Sequence, residues 1–146
     1  MKKELKSIFT RGPVSSQFIG EEIGRHAVKK EIGAHSLFLG QVRADEKEGQ
    51  KVIAIEYSAY EPMVMEKLGP IRESIFQKYP LHCLHIYHSL GRVNAGEISL
   101  FVFASSRHRK PAIEACQEIV ERIKFDLPIW GKEILEGEHS QWKINH

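Results

Sequence analysis

The chain has 146 residues, with 21 Lys and Arg against 19 Asp and Glu for a net charge of +2, eight His, two Cys and 42% apolar residues. That length predicts a single domain spanning residues 1–146, able to bury a core without disulfides or a structural metal. A charged fraction of 27% beside that apolar content excludes the disordered class. The near balance of charge argues against a dedicated nucleic-acid binder, and no apolar run approaches the roughly 20 residues that cross a membrane.

The segment Leu5-Lys6-Ser7-Ile8-Phe9 reads as a short strand, stopped by Gly12-Pro13. Ser15 or Ser16 then caps a helix predicted over 16–30, with Phe18, Ile19, Ile23, Ala27 and Val28 on one side at helical spacing. After Gly33, the apolar run Ala34 to Val42 predicts a strand. The charged tract 44–50 predicts a hairpin loop leading into a second strand over 52–57. A helix is expected over 61–79 with Met65, Leu68, Ile71, Ile75 and Tyr79 inward, kinked or broken at Gly69-Pro70. Strands follow over 82–90 and 97–104 around a turn at Asn94-Ala95-Gly96.

A helix then runs to about residue 126, its predicted inner face being Ile113, Cys116, Ile119, Val120 and Ile123. Pro128-Ile129-Trp130 opens a last strand, which Gly137-Glu138-His139 turns back toward Trp142. Hairpin turns outnumber crossovers, which favours an α+β fold over a doubly wound sheet.

The histidines raise a metal reading first, because His82, His85 and His88 recur every three residues. On a strand, faces alternate, so His85 points away from the other two and the three cannot converge. No metal is expected. Cys116 lies on a helix stripe and Cys83 on a strand, both read as core, and no C-x-x-C is present. Two lone cysteines, with no apolar stretch behind the basic Met1-Lys2-Lys3, predict a reducing cytoplasm.

Arg107-His108-Arg109 falls where a strand gives way to a helix, so free N–H groups and the positive dipole end adjoin two guanidiniums and an imidazole. That chemistry suits a phosphate or carboxylate, or equally a solvated basic turn. Arg43 closes an apolar strand, where a charge marks a rim. Lys124 sits in the last turn of the helix that Arg109 begins. Fifteen steps at about 1.5 Å separate them by roughly 22 Å, too far for one small substrate. If both serve one site, that site is shared between two subunits.

Several motifs in order carry a resemblance: Gly33-Ala34-x-x-x-Phe38-x-Gly40-x-Val42-Arg43, Glu56-Tyr57-x-x-Tyr60-x-x-Met63, Gly91-x-Val93-x-x-Gly96-Glu97, Ser105-x-x-His108-Arg109-x-x-Ala112 and Ile123-Lys124-x-x-x-Pro128-Ile129-Trp130-x-Lys132-Glu133. Over about residues 5–142 the chain resembles the large, catalytic subunit of molybdopterin synthase. The resemblance implies an α+β fold of the α/β-hammerhead type, with an antiparallel or mixed sheet and flanking helices. It also implies a central homodimer, extended to a heterotetramer by a small ubiquitin-like subunit ending in Gly-Gly. The family's reaction inserts two sulfur atoms into cyclic pyranopterin monophosphate, each delivered as a thiocarboxylate on the small subunit's C-terminus.

By motif, Arg43, His108 and Arg109 would bind the substrate's phosphate and pterin, Phe38 would wall the pocket, and Lys124 would act in sulfur transfer. His108 and Arg109 would serve the neighbouring subunit's site. No cofactor is expected, and the sulfur comes from the partner, consistent with no activated cysteine. One position departs from the family: Gly131 stands where a second lysine is usual, and Lys132 could replace it as a catalytic group if a bulge at Gly131 turned it inward. The competing class is a dimeric module that binds a phosphate ligand through Arg107 to Arg109 with little or no sulfur transfer.

Overall fold

A computed structural model describes residues 7–137 and the backbone of 140–142. Its strands are β1 (Phe9–Arg11), β2 (Ala34–Gln41), β3 (Glu46–Lys47), β4 (Gln50–Ala59), β5 (Leu81–Asn94), β6 (Ile98–Ser106), β7 (Ile129–Leu135) and β8 (Ser140–Trp142). The helices are α1 (Ser16–Arg25), α2 (Glu61–Lys78) and α3 (Arg109–Asp126). Leu5 and Lys6 of the first predicted strand, and Glu138 and His139 of the last predicted turn, lie outside the described residues.

The fold is α+β, with one mixed sheet in the order β2-β6-β5-β4-β7-β8, β1 joining β5 in parallel and β3 pairing β4. β5 is the hinge of this arrangement. Its first half, Leu81 to His88, pairs with β6, whereas Gly91 to Asn94 pairs with β4. Gly91 takes φ +81° at the changeover, a conformation that L side chains resist.

β6 is buried on both faces, which explains its unbroken apolar sequence. Leu100, Val102 and Ala104 face a core completed by Val64, Leu68 and Ile75 of α2 and Ile119 and Ile123 of α3. Phe101 and Phe103 face the other way, into a cluster with Val14 and Ile19 under α1. Beyond the hinge, Val42, Val52, Ile55, Val93 and Leu135 form a third cluster.

Several sequence expectations are corrected. Of the two outcomes expected at Gly69-Pro70, the break does not occur: α2 is continuous from Glu61 to Lys78 through Pro70. Four buried side chains, Val64, Leu68, Ile71 and Ile75, anchor both halves to one core. At about 1.5–3 kcal/mol each they outweigh the roughly 3 kcal/mol a mid-helix proline costs. Val64 joins this stripe, and the expected Met65 and Tyr79 pack partly buried against the same core. α1 ends at Arg25 and continues only as a 3-10 turn, His26–Val28.

The buried face of that segment is Ile19, Glu22 and His26, whereas Val28 is 79% exposed and Ile23 is also exposed. Glu22 turns inward because its carboxylate accepts from Tyr87 Oη at 3.1 Å and pairs with Arg25. The N-cap is as expected: Ser15 Oγ accepts from Phe18 N at 3.1 Å. In α3, Ile113 is 53% exposed, and Ala112 and Ala115 take its place in the core.

Candidate functional site

The last turn of α3, the end of β2 and the start of β7 converge over the β5 hinge. They enclose a cavity of about 70 Å³ whose lining includes Gly40, Tyr57, His88, Ser99, Lys124 and Trp130. Lys124 Nζ stands 5.9 Å above the centre of the Phe38 ring, a cation–π arrangement joining α3 to β2. The structure thus brings together two predicted site residues from sequence positions 86 apart.

Behind Lys124 the cavity wall is polar and ordered. Tyr57 Oη donates to Ser99 Oγ at 3.1 Å, and Ser99 Oγ donates to the Gly40 carbonyl at 3.4 Å. The Tyr57 ring meets His88 edge-on at 5.2 Å. Burial raises the Tyr57 hydroxyl's pKa above its ordinary value. His88 Nδ1 donates to the Ser89 carbonyl at 2.8 Å, which fixes the proton on Nδ1 and leaves Nε2 as an acceptor. Burial, with a smaller contribution from Lys124, pushes His88 down to about 4 against the opposing pull of the Ser89 carbonyl, so the ring is neutral at pH 7.

Alternation keeps His88 from joining His82 and His85 around a metal, and the structure places it in the cavity wall. The signal lay in the period-two stripe Leu84, Ile86, His88 and Leu90, all buried, where the histidine continues an apolar face. Tyr57 and Ser99 were likewise not singled out as site residues.

The other predicted residues stand elsewhere in the chain. His108 is the N-cap of α3 with extended backbone, φ −115° and ψ 152°, and its side chain makes no capping bond. With Arg109, Lys110, Ile113 and Glu114 it lines an open depression of about 410 Å³. Gly33 fixes that turn in place. A Cβ there would meet the Arg107 carbonyl oxygen at 2.2 Å, and Gly33 N donates to the Ser106 carbonyl at 3.1 Å. Arg43 lies beyond β2, its side chain 71% exposed and 3.4 Å from Asp45 Oδ2. One chain therefore gathers Phe38 and Lys124 but not His108 or Arg109, as the length of α3 requires, and Arg43, expected beside Lys124, is not among the residues that line the cavity.

Lys132 is a correction. The β4–β7 ladder runs in register through Ser58↔Trp130, Tyr57↔Gly131 and Glu56↔Lys132, with no bulge at Gly131. Alternation puts Lys132 on the strand face opposite Gly131, and Lys132 is not among the residues that line the cavity. A Cβ on Gly131 would approach Ile55 Cγ2 at 2.9 Å and Tyr57 Cε1 at 3.3 Å, so the tyrosine ring occupies the space a side chain would need.

A family model described as MoaE protein matches residues 14–126. The chain belongs to the MoaE protein family. Among its relatives, the molybdopterin synthase catalytic subunit of Rattus norvegicus is 40% identical over 124 residues, covering 85% of this chain and 62% of the rat protein. The Homo sapiens protein of the same name is 39% identical over 86% of this chain and 65% of its own length. The Bacillus subtilis one is 38% identical over 91% of this chain and 81% of its own. The chain thus spans just under two thirds of the two mammalian relatives and most of the bacterial one.

Of the solved structures, molybdopterin synthase from Staphylococcus aureus matches with a TM-score of 0.82 and 33% identity, over 99% of this chain and 100% of that one. A complex of subunits 1 and 2 of molybdopterin-converting factor from Helicobacter pylori matches at 0.77 and 21% identity, over 92% and 87%, a likeness of fold. Among the described residues of this MoaE-family chain, no helix is long and apolar enough to cross a membrane.

Proposed function

We propose that this chain is the catalytic subunit of a molybdopterin synthase, a cytoplasmic sulfurtransferase that converts cyclic pyranopterin monophosphate to molybdopterin. Sulfur arrives as the thiocarboxylate at the C-terminus of a small ubiquitin-like partner ending in Gly-Gly. Two copies of the chain form a central homodimer, and one partner docks on each.

The observation that carries this reading is Lys124, held over Phe38 at the mouth of a narrow cavity backed by a neutral His88. An ammonium there attracts an anionic thiocarboxylate and stabilises the charge that develops as sulfur leaves its acyl carbon. A neutral imidazole behind it adds no competing positive charge and offers Nε2 as a proton acceptor. The phosphate belongs at the other end of α3, where His108, Arg109 and the helix's free N–H groups provide anion-binding donors. The roughly 22 Å between the two ends is bridged by a second protomer.

Family membership and the shared name of the relatives support the same reading. Turnover of the pterin monophosphate with thiocarboxylated partner tests it. Molybdopterin is expected from the intact chain and not from Lys124→Ala. Tight phosphate binding with no product would instead favour a ligand-binding module.

A further inference from the structure

On the opposite side of the sheet from the helix-covered core, three ligand-type side chains meet that the sulfur-transfer reading does not use. Cys83 and His85 are two apart on β5 and therefore share a face, with register partners Ser105 and Phe103 on β6. His26 reaches them from the 3-10 turn after α1. One ligand atom from each of the three lies within 4.8 Å of the others. We propose that His26, Cys83 and His85 form a binding site for a divalent transition-metal ion of the zinc class.

The geometry is close to what such an ion needs. Bond lengths of about 2.0–2.1 Å to nitrogen and 2.3 Å to sulfur place tetrahedral ligand atoms roughly 3.3–3.7 Å apart. His26 Nε2 and His85 Nε2 already face each other at 3.1 Å. His26 is oriented from behind, because its Nδ1 lies 2.7 Å from the Glu22 carbonyl oxygen. A carbonyl only accepts, so the proton sits on Nδ1 and the Nε2 lone pair points at the cluster. That outer hydrogen bond is the arrangement that fixes metal-bound imidazoles.

In the metal-free chain His85 Nε2 must donate to His26 Nε2. On metal binding that ring proton moves to His85 Nδ1 through solvent, and the Cys83 thiol gives up its proton as the Sγ–metal bond forms.

The surroundings decide the class of ion and its route in. His26 and Cys83 are 6% and 4% exposed, His85 is half-buried, and Lys29 at the rim is exposed. Lys29 Nζ lies 3.0 Å from Cys83 Sγ, so an ammonium stands on the solvent side of the sulfur and can swing out as the ion enters. Two imidazoles and a thiolate select a borderline-soft ion, and the absence of any carboxylate from the trio disfavours calcium and magnesium. His35 is not a fourth ligand as it stands, since it falls outside the group of mutually close ligand atoms formed by His26, Cys83 and His85; water completes the coordination. The ion would tie the turn after α1 to the middle of β5.

Titration of the metal-free chain with Co²⁺ and then Zn²⁺ tests the proposal without reference to turnover. The expected result is one ion per chain, a thiolate-to-cobalt charge-transfer band in the near ultraviolet that zinc abolishes, and a melting temperature that rises with zinc concentration. Cys83→Ser removes the band, and His85→Asn weakens zinc binding by at least about tenfold, the lower end of what loss of even an outer partner produces. His82→Ala, an exposed neighbour on the same strand, leaves both unchanged. Because Cys83 is buried, the half-buried His85 variant is the deciding one, checked for unaltered melting in chelator. A cobalt spectrum without a thiolate band, or zinc affinity and stoichiometry unmoved by His85→Asn, overturns the site.

Discussion

The two ends of α3 carry the cationic side chains on which the functional reading rests, and they are built in opposite ways. At the C-terminal end Lys124 lies against the Phe38 ring, beside a cavity of about 70 Å³ whose wall of Tyr57, Ser99 and His88 is tied by hydrogen bonds. At the N-terminal end His108 and Arg109 are exposed around an open depression of about 410 Å³. Enclosure strengthens an electrostatic interaction, and open solvent weakens it. On the proposed reading, the first end is one half of a site, with an enclosed wall and one ammonium. The second has the donors for a phosphate but not the walls, which a second protomer would bring.

The largest expected effect comes from the enclosed end. Lys124→Ala should lower turnover by at least about 100-fold, the scale of a lost acid–base or charge-stabilising group, with melting temperature nearly unchanged. Arg109→Ala, at the open end, should raise KM for the phosphate-bearing substrate by about 10–100-fold, the cost of one charge-assisted hydrogen bond. Equal kcat losses from both variants, with KM constant, would erase the distinction between the two ends.

The enclosed end also has a pH signature. His88 has a folded pKa of about 4 against 6.5 when free, so the unfolded chain takes up the proton first as pH falls. Its contribution is therefore full above about pH 6.5 and is lost as pH drops toward 4, on the order of 3 kcal/mol in total. Urea unfolding of His88→Gln across that window should show a shallower fall in stability than the parent chain. An unchanged slope would mean that the ring is not buried as described.

Gly131→Lys sharpens the description of the cavity wall. With Ile55 and Tyr57 already where a Cβ would sit, the added side chain should destabilise by about 1–3 kcal/mol and should not raise turnover. Lys132→Ala, on the opposite face, should change stability by less than about 0.5 kcal/mol and leave the rate alone. A strong rate gain from Gly131→Lys would show that the missing lysine limits the reaction.

What the sequence made legible follows from which forces are local. The α+β order, the Ser15 cap and the β2, β6 and α3 patterns rest on periodicity and capping, which a short window contains. The motif resemblance reached Phe38 and Lys124, and α3's length separated Lys124 from Arg109 before any fold was known. The inward turn of Glu22 was not legible, because its partner Tyr87 is 65 residues away. His88 shares its spacing with His82 and His85 but its burial with the apolar stripe Leu84, Ile86 and Leu90, and only the second marks it as a cavity-wall residue. The meeting of His26 with Cys83 and His85 depends on where the turn after α1 lands on β5, which no local pattern encodes. The bulge that would turn Lys132 inward is absent, because the ladder partners of Gly131 and its neighbours stay in register.

The central claim is a site completed by two protomers, and mixed dimers test it most directly. Chains carrying Lys124→Ala and chains carrying Arg109→Ala are each prepared alone and then together, and turnover is measured with the thiocarboxylated partner. In a two-fold dimer each mixed pair holds one intact site and one doubly altered site, so at subsaturating pterin about half of the unaltered dimer's kcat/KM is expected per mixed dimer, from two parents each lowered by at least about tenfold. Mixed dimers no more active than the parents would contradict the shared site.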